Sequence, residues 1–343
     1  MTIHRLTTPI GGTLKNSAHK GPNQLSLTTI GIDVGGTNIK YALVNGSGKI
    51  LYEGCRSSDG YDSARAVIKN IIDIVEDVRC HVDSIHNGPV AIGVGVPGLI
   101  NMKKGIVLGG AENIRDWKNI PLKDTLEKAC RLPVIIDNDA NLIALGEMLY
   151  GAARNCTNAI VLSIGTGIGG AIIINKQLFR GSNNAAGELG CLIFDVEKST
   201  TRYAKNISWE DRASTKAMLE SFSLQNNTPE EEIDGKELFA LYHLGNPIAR
   251  KVIEENTRLL GVGIASLINI FNPEKIILSG GVSEAGDFYV DMIKTHAFKY
   301  AKPECMKGVK IEQAELGNKG GFLGAAFCAS ELVITHAQQG ILS

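Results

Sequence analysis

The stretch Ile30–Val44, IGIDVGGTNIKYALV, decides how the rest of the chain is read. An apolar run ends at Asp33, Gly35, Gly36 and Thr37 interrupt it, and Ile39 to Val44 is again apolar and β-rich. That pattern predicts a strand, a glycine turn and a second strand returning as a hairpin. Glycines in such a turn let backbone N–H groups approach an anion with no Cβ in the way. Asp33 by itself would repel a phosphate there. It becomes useful if Mg2+, or water bound to it, lies between carboxylate and phosphate.

The pattern returns downstream in Ile160–Ile174, IVLSIGTGIGGAIII. A shift of about 130 residues lays Gly35 on Gly165 and puts Thr166 and Gly167 in the matching turn, the kind of self-similarity that marks a repeat. Two such units predict a duplicated domain, one hairpin per lobe, with a nucleotide between the lobes. Either hairpin alone would be an ordinary glycine turn.

Composition narrows the classes. The 343 residues suit two domains, and 44% hydrophobic content with 39 glycines fits an α/β protein rich in turns. A net charge of −1 gives no electrostatic footprint for nucleic acid or an anionic membrane. The seven cysteines are scattered and form no CxxC pair, which fits reduced thiols in a cytoplasmic setting. No continuous apolar run reaches the length of a membrane span. Residues 1–28 carry neither a helical stripe nor a signal-peptide h-region and are expected to be a flexible extension.

Along the chain, Ser63 to Val78 has helical apolar spacing, Val90 to Val96 reads as a strand into Pro97-Gly98, and Pro121 to Leu132 reads as a helix. Val134 to Ile136 is a short buried strand running into Asp137-Asn138-Asp139-Ala140-Asn141, which opens another helix. Polar residues at a strand end face the crevice of α/β sheets. Asp137 or Asn138 could equally cap the helix, but a cap uses one side chain and this run offers four. Glu188 is a lone carboxylate in the small-residue segment FRGSNNAAGELGCL, either presented to a site or an ordinary surface residue. Asp234 to Leu244, Pro247 to Asn256 and Arg258 to Phe271 read as three helices, Lys275 to Leu278 as a strand into Gly280-Gly281, and Gly320 to Ser330 as a final helix. The glycine pair suits a planar base resting on backbone, or simply a tight turn.

Two G-x-G-x-x-G matches, at Gly93 and Gly165, follow strands but run on into a loop and a strand. A dinucleotide site needs a helix N-terminus there, which argues against a Rossmann dehydrogenase; with no G-x-x-x-x-G-K-[ST], a P-loop is excluded.

The ordered set DVGGTNIK, GVGVPG, DNDANLIALGE, SIGTGIGGAIII, GELG and LSGG resembles the ROK family of sugar kinases, within the actin/hexokinase/Hsp70-like ATPases. The resemblance covers about residues 29 to 330. It implies a two-lobed α/β, actin-like (ribonuclease H-like) fold with an interlobe cleft. Residues 29–139 with about 318–334 would form the N-terminal lobe and 140–317 the C-terminal lobe. It implies ATP and Mg2+, with Asp33 near the metal and Gly35, Gly36, Thr37, Thr166 and Gly167 as phosphate turns. Gly280 and Gly281 would lie against adenosine. Asp139 matches the catalytic base, and Gly98, Asn113, Asn138, Glu188 and Glu210 match positions that line the sugar.

Two departures stand out. Cys191 occupies the place of the histidine that in the family touches the sugar and ligates zinc, and Thr201 to Glu210 lacks the cysteine cluster that would complete the zinc motif. No structural zinc is expected, and the contacts near the anomeric end of the sugar are changed. The expected reaction is transfer of the ATP γ-phosphoryl group to a hexose hydroxyl, C6 first, in the manner of a glucokinase. N-acetylmannosamine, a β-glucoside, fructose or another amino sugar are alternative acceptors, and a sugar-sensing regulator without catalysis is the alternative of another class. No nucleic-acid or membrane partner is expected; the family resemblance leaves a homodimer open.

Overall fold

The computed structural model describes residues 27–82, 88–111, 113–194, 207–227, 229, 233–281 and 285–339. The expected N-terminal extension lies outside them up to residue 26, and so does the part of the expected zinc-motif segment at 201–206.

The opening stretch forms β1 (Thr28–Val34) and β2 (Asn38–Asn45), paired antiparallel with Asp33 opposite Lys40 and Val34 opposite Ile39. Then come β3 (Ile50–Ser57), α1 (Ala64–Val82), β4 (Ile92–Val96), a small hairpin β5 (Leu99–Asn101) and β6 (Ile106–Gly109), α2 (Leu122–Cys130), β7 (Val134–Asn138) and α3 (Asp139–Tyr150). The second half has β8 (Ala159–Ile164), β9 (Ile168–Ile174), β10 (Gln177–Leu178), α4 (Trp209–Ala213), α5 (Thr215–Asn226), α6 (Gly235–His243), α7 (Pro247–Phe271), β11 (Lys275–Gly280), α8 (Asp287–Tyr300), α9 (Pro303–Met306), β12 (Lys310–Gln313) and α10 (Gly320–Gln338).

The repeat is a repeat of topology. One five-stranded sheet has the order β3-β2-β1-β4-β7 and the other β10-β9-β8-β11-β12. In each, the first three strands are antiparallel and the last three parallel. The central strands read as near-continuous apolar runs because both faces are covered. Each sheet has its own core: Ile30, Ile32, Val94 and Ile136 with α1 and α2 in the first, and Ile160, Leu162, Ile276 and Leu278 with Trp209, Phe222 and α7 in the second.

Helices α3 and α10 lie between the sheets. Leu142, Ala144, Leu145 and Met148 of α3 pack with Val161, Ala171, Ile173 and Ile277 of the second sheet, whereas Phe322, Leu323 and Ala326 of α10 pack with Ala42 and Val44 of the first. The two helices also pack on each other. Gly146 and Gly324 make that approach possible, because a Cβ at either would strike the facing helix backbone.

Three sequence expectations change. The two helices expected over 247–271 are one helix of 25 residues. Asn246 caps it by accepting from the N–H groups of Ile248 and Ala249, Pro247 starts it, and Asn272 ends it in the left-handed region. The polar Asn256 looked like a break, but it is buried in mid-helix and hydrogen-bonded to the Ala213 carbonyl and the Tyr289 hydroxyl. The last helix runs on to Gln338, well past the expected end at Ser330. Gly317–Gln338 is also long and apolar enough, with mean hydropathy 1.2, to cross a membrane by length and composition, contrary to the expectation that no run would be. Its apolar residues from Gly320 to Ala326 are buried against β1, β2, β4 and α3.

Candidate active site

Because β1, β4 and β7 are parallel, their C-terminal ends share one edge of the sheet. That edge carries Asp33, the Gly95-Val96 end of β4 with the Pro97-Gly98 bend, and Asp137–Asp139. Gly95 sits between the two aspartates: a Cβ there would be 3.5 Å from Asp139 Cα and 3.7 Å from Asp33 Oδ1.

The polar run divides its labour. Asn138 is the N-cap of α3, its Oδ1 accepting from Asn141 N at 3.2 Å, so the capping alternative holds for this residue. Its Nδ2 also donates to Gly98 O at 3.2 Å. Asp137 is not a cap. Buried at 2% exposure, it accepts from Asn138 N and Asn141 Nδ2 and receives both guanidinium nitrogens of Arg180. Asp139 begins the helix, half-buried, with Oδ1 accepting from Ala140 N at 2.9 Å.

Glu188, Cys191 and Glu210 approach from the second half. Glu188 immediately precedes a short helical turn, Leu189–Cys191. Glu210 lies on α4, which is set by a capping box between Ser208 and Asp211 and anchored by the fully buried Trp209. Its Oε2 accepts from Ile168 N at 3.2 Å and would be 2.7 Å from a Cβ on Gly167. Glu210 therefore touches the second glycine turn, a link invisible in the sequence.

The first turn is closed by Gly35 N donating to Asn38 O at 2.9 Å, and Ser58 Oγ donates to Gly36 O at 2.6 Å. Asn113 stands over it, its Nδ2 2.5 Å from where a Gly36 Cβ would be. Thr37 is exposed at the tip. In the second turn Gly165 N donates to Gly167 O at 2.9 Å and Thr166 is the exposed tip. Gly280, at φ +84°, lies behind this turn, where a Cβ would meet Ile164 O at 2.5 Å. Thr215, the first residue of α5, donates its N–H to Gly165 O at 2.9 Å, and its Oγ1 would be 3.9 Å from a Cβ on Gly281. The glycine pair, the second turn and an α-helix N-terminus thus share one corner.

Electrostatically the site is short of positive charge. Burial and then the charge of Asp139 push the Asp33 carboxyl up to about 7, with Lys40 opposing. Burial raises Asp139 as well. Glu188 is exposed, yet its carboxyl is pushed up by partial desolvation and then by the charges of Asp139 and Glu210. The Cys191 thiol is held up by desolvation, then by Glu210, Glu188 and Asp211. Carboxylates kept from ionising freely are matched by a ligand that brings a cation and hydroxyl donors. Among the described residues, no three His, Cys, Asp or Glu side chains are grouped to hold a metal by themselves. Asp33 is a single hard-oxygen donor beside a glycine turn, which fits a Mg2+ held mainly by phosphate oxygens.

The profile of the ROK family matches residues 29–331. The chain belongs to the ROK family. A glucokinase of Halalkalibacterium halodurans is 32% identical over 88% of this chain and 94% of its own length. A xylose repressor of Bacillus spizizenii is 30% identical over 90% of this chain and 77% of its own. In three dimensions, a ROK family glucokinase from Streptomyces griseus, crystallised with glucose and AMPPNP, superposes with a TM-score of 0.78 at 31% identity, covering 88% of this chain and 99% of that one. The fold is therefore that of the ROK sugar kinases, two-lobed and actin-like, and the family includes both kinases and regulators. Residues the motifs did not bring forward are Arg180 and Thr215. Arg180 stands in the FRGSNN segment and could have been noticed as the one cation among small residues; Thr215 had no local signal.

Proposed function

We propose that this ROK protein is an ATP-dependent sugar kinase, transferring the γ-phosphoryl group to a hexose hydroxyl, with C6 of glucose the first-choice acceptor. The observation that carries the proposal is the meeting of Asp33 and Asp139 at the ends of parallel strands, facing Glu188. A glycine turn lies on either side of this meeting point. Support comes from glucokinase relatives at about this level of identity.

In this reading Asp139 is the catalytic base. The acceptor hydroxyl gives its proton to the Asp139 carboxylate as its oxygen bonds to the γ-phosphorus, and ADP leaves with the electrons of the broken bond. The raised affinity of Asp139 for protons suits that task, and such a base typically contributes about 10²–10⁴-fold. Mg2+, when bound at Asp33, would offset the charge spread over the phosphates. Gly35 closes the first turn through Asn38 O, the N–H groups of Gly36, Thr37, Thr166 and Gly167 cradle phosphate oxygens, and Gly280 and Gly281 rest against adenosine. Gly98, Asn113, Asn138, Glu188 and Glu210 line the sugar; Asn138 keeps one Nδ2 hydrogen for a hydroxyl after serving Gly98. Cys191 stands near the same carboxylates and leaves room where the family carries histidine. The lobes, 29–139 with about 318–334 and 140–317, would close about the α3–α10 seam and exclude water.

The repressor relatives favour a second reading, a sugar sensor without phosphoryl transfer. Mg-ATP turnover with a sugar panel, in wild type and Asp139→Asn, separates the two. The kinase reading expects sugar-dependent ADP release that the substitution removes; sugar binding without turnover would favour the sensor.

A further inference from the structure

One buried ion pair joins the two halves of the chain beside the proposed base. Arg180 follows β10 of the second sheet, and Asp137 is the last residue but one of β7 in the first. Arg180 Nη2 donates to Asp137 Oδ2 at 2.6 Å and Nη1 to Oδ1 at 3.0 Å, a two-pronged contact, with side-chain exposures of only 20% and 3%. Nη1 also lies 3.0 Å from Met102 Sδ, in the turn between β5 and β6. Asp137 Oδ1 in turn accepts from Asn141 Nδ2, in the first turn of α3.

The positions of these partners matter more than the pair's own energy. A buried pair between flexible chains gives little net stability, whereas a planar guanidinium on both carboxylate oxygens fixes direction. Asp137 precedes the proposed base by two residues, and Asn141 follows it by two. Arg180 begins the segment that ends at Glu188, closed by Ala186 N donating to Arg180 O at 3.2 Å and by Leu189 N donating to Gly187 O at 2.7 Å. One guanidinium therefore holds the strand end and helix turn flanking Asp139 and the start of the loop that presents Glu188. Nothing in phosphoryl transfer itself asks for a cation buried at this place.

We propose that Arg180 is a positioning residue whose pairing with Asp137 sets the spacing between Asp139 and Glu188, holding the sugar subsite assembled across the two halves of the chain. The sugar-subsite part rests on the kinase reading; the latch between loop and strand end does not.

The test uses the full chain in two arms. Amide hydrogen exchange on the ligand-free protein, wild type against Arg180→Gln, is expected to show faster exchange confined to residues 181–191, with β8 and β9 unchanged. Steady-state kinetics is expected to show a drop in kcat/KM for the sugar of about 100-fold, the effect of roughly 1 Å of misplacement, expressed in part as a raised sugar KM, with the KM for ATP within about twofold of wild type. Arg180→Lys, which keeps the charge but loses the fork, is expected to fold and give an intermediate loss; it serves if Arg180→Gln does not fold. Asp137→Asn/Arg180→Gln, a neutral hydrogen-bonding pair, is expected to recover part of the sugar KM. Unchanged exchange at 181–191 together with an unchanged sugar KM would overturn the proposal. So would faster exchange throughout the chain with both KM values moving together, the result of a merely structural role. If wild type phosphorylates no sugar, the kinase reading fails while the exchange arm still decides on the latch.

Discussion

Glu147 offers a prediction whose size follows from the structure. It is on α3, fully buried, and its carboxylate is surrounded by backbone donors. Oε2 accepts from Ala152 N at 2.7 Å and Glu315 N at 3.2 Å, and Oε1 from Leu316 N at 2.9 Å. The last two lie just before α10, whose Gly321 abuts the Asp33 carboxylate. Glu147→Gln keeps the shape but turns one acceptor into a donor. The amide will place its nitrogen at the Oε1 position, where a single bond is lost. Losing a bond to a charged group costs about 1.5–3 kcal/mol, and the two remaining bonds fall to about half strength once neutral. The expected loss is about 3–6 kcal/mol. Urea unfolding of wild type and variant should show a lowered midpoint with an unchanged slope. Hydrogen exchange should quicken at Glu315 and Leu316. A loss below about 1 kcal/mol would refute the reasoning, because it would mean that these donors find other partners.

Asp139→Asn should lower kcat with sugar by about 10²–10⁴-fold while sugar still binds in calorimetry; turnover within a few-fold of wild type would remove Asp139 as the base. Asp33 predicts a pH effect in the protein free of nucleotide and metal. Its folded carboxyl titrates at about 7, above the ordinary carboxylate range. The folded state thus holds a proton that the unfolded chain has released, and this group's contribution to stability falls as pH rises from about 4 to 7. Asp33→Asn should therefore raise the Tm at pH 8 and leave it unchanged near pH 4; a lowered Tm at pH 8 would contradict the assignment. Cys191→His should change the ratio of kcat/KM values among sugars and leave the KM for ATP alone, measured on the same panel; an unchanged ratio would take Cys191 out of the sugar subsite.

Local pattern carried most of the fold. The hairpins at Asp33 and Gly165, with the order of strands around them, were legible because glycine turns between β-rich runs are encoded within a few residues, and repetition doubled the signal. The polar run at Asp137–Asn141 was legible as a place, but its roles were not. Which residue caps, which pairs and which is left for chemistry depends on Arg180 and Gly98, about 40 residues away in the chain. Asn256 misled for the same reason: a polar residue in mid-helix reads as a break until its partners on α4 and α8 are seen. The short β5–β6 hairpin has no strong alternation, and the contact between Glu210 and the second turn has no sequence signature at all.

The most direct test of the whole account is ADP release from Mg-ATP by the purified chain in the presence of glucose, mannose, fructose, glucosamine, N-acetylglucosamine, N-acetylmannosamine or cellobiose. Strong turnover that depends on one of these sugars is expected, and that sugar is the acceptor beside Cys191. A folded protein that binds ATP and sugar yet releases no ADP with any of them would contradict it.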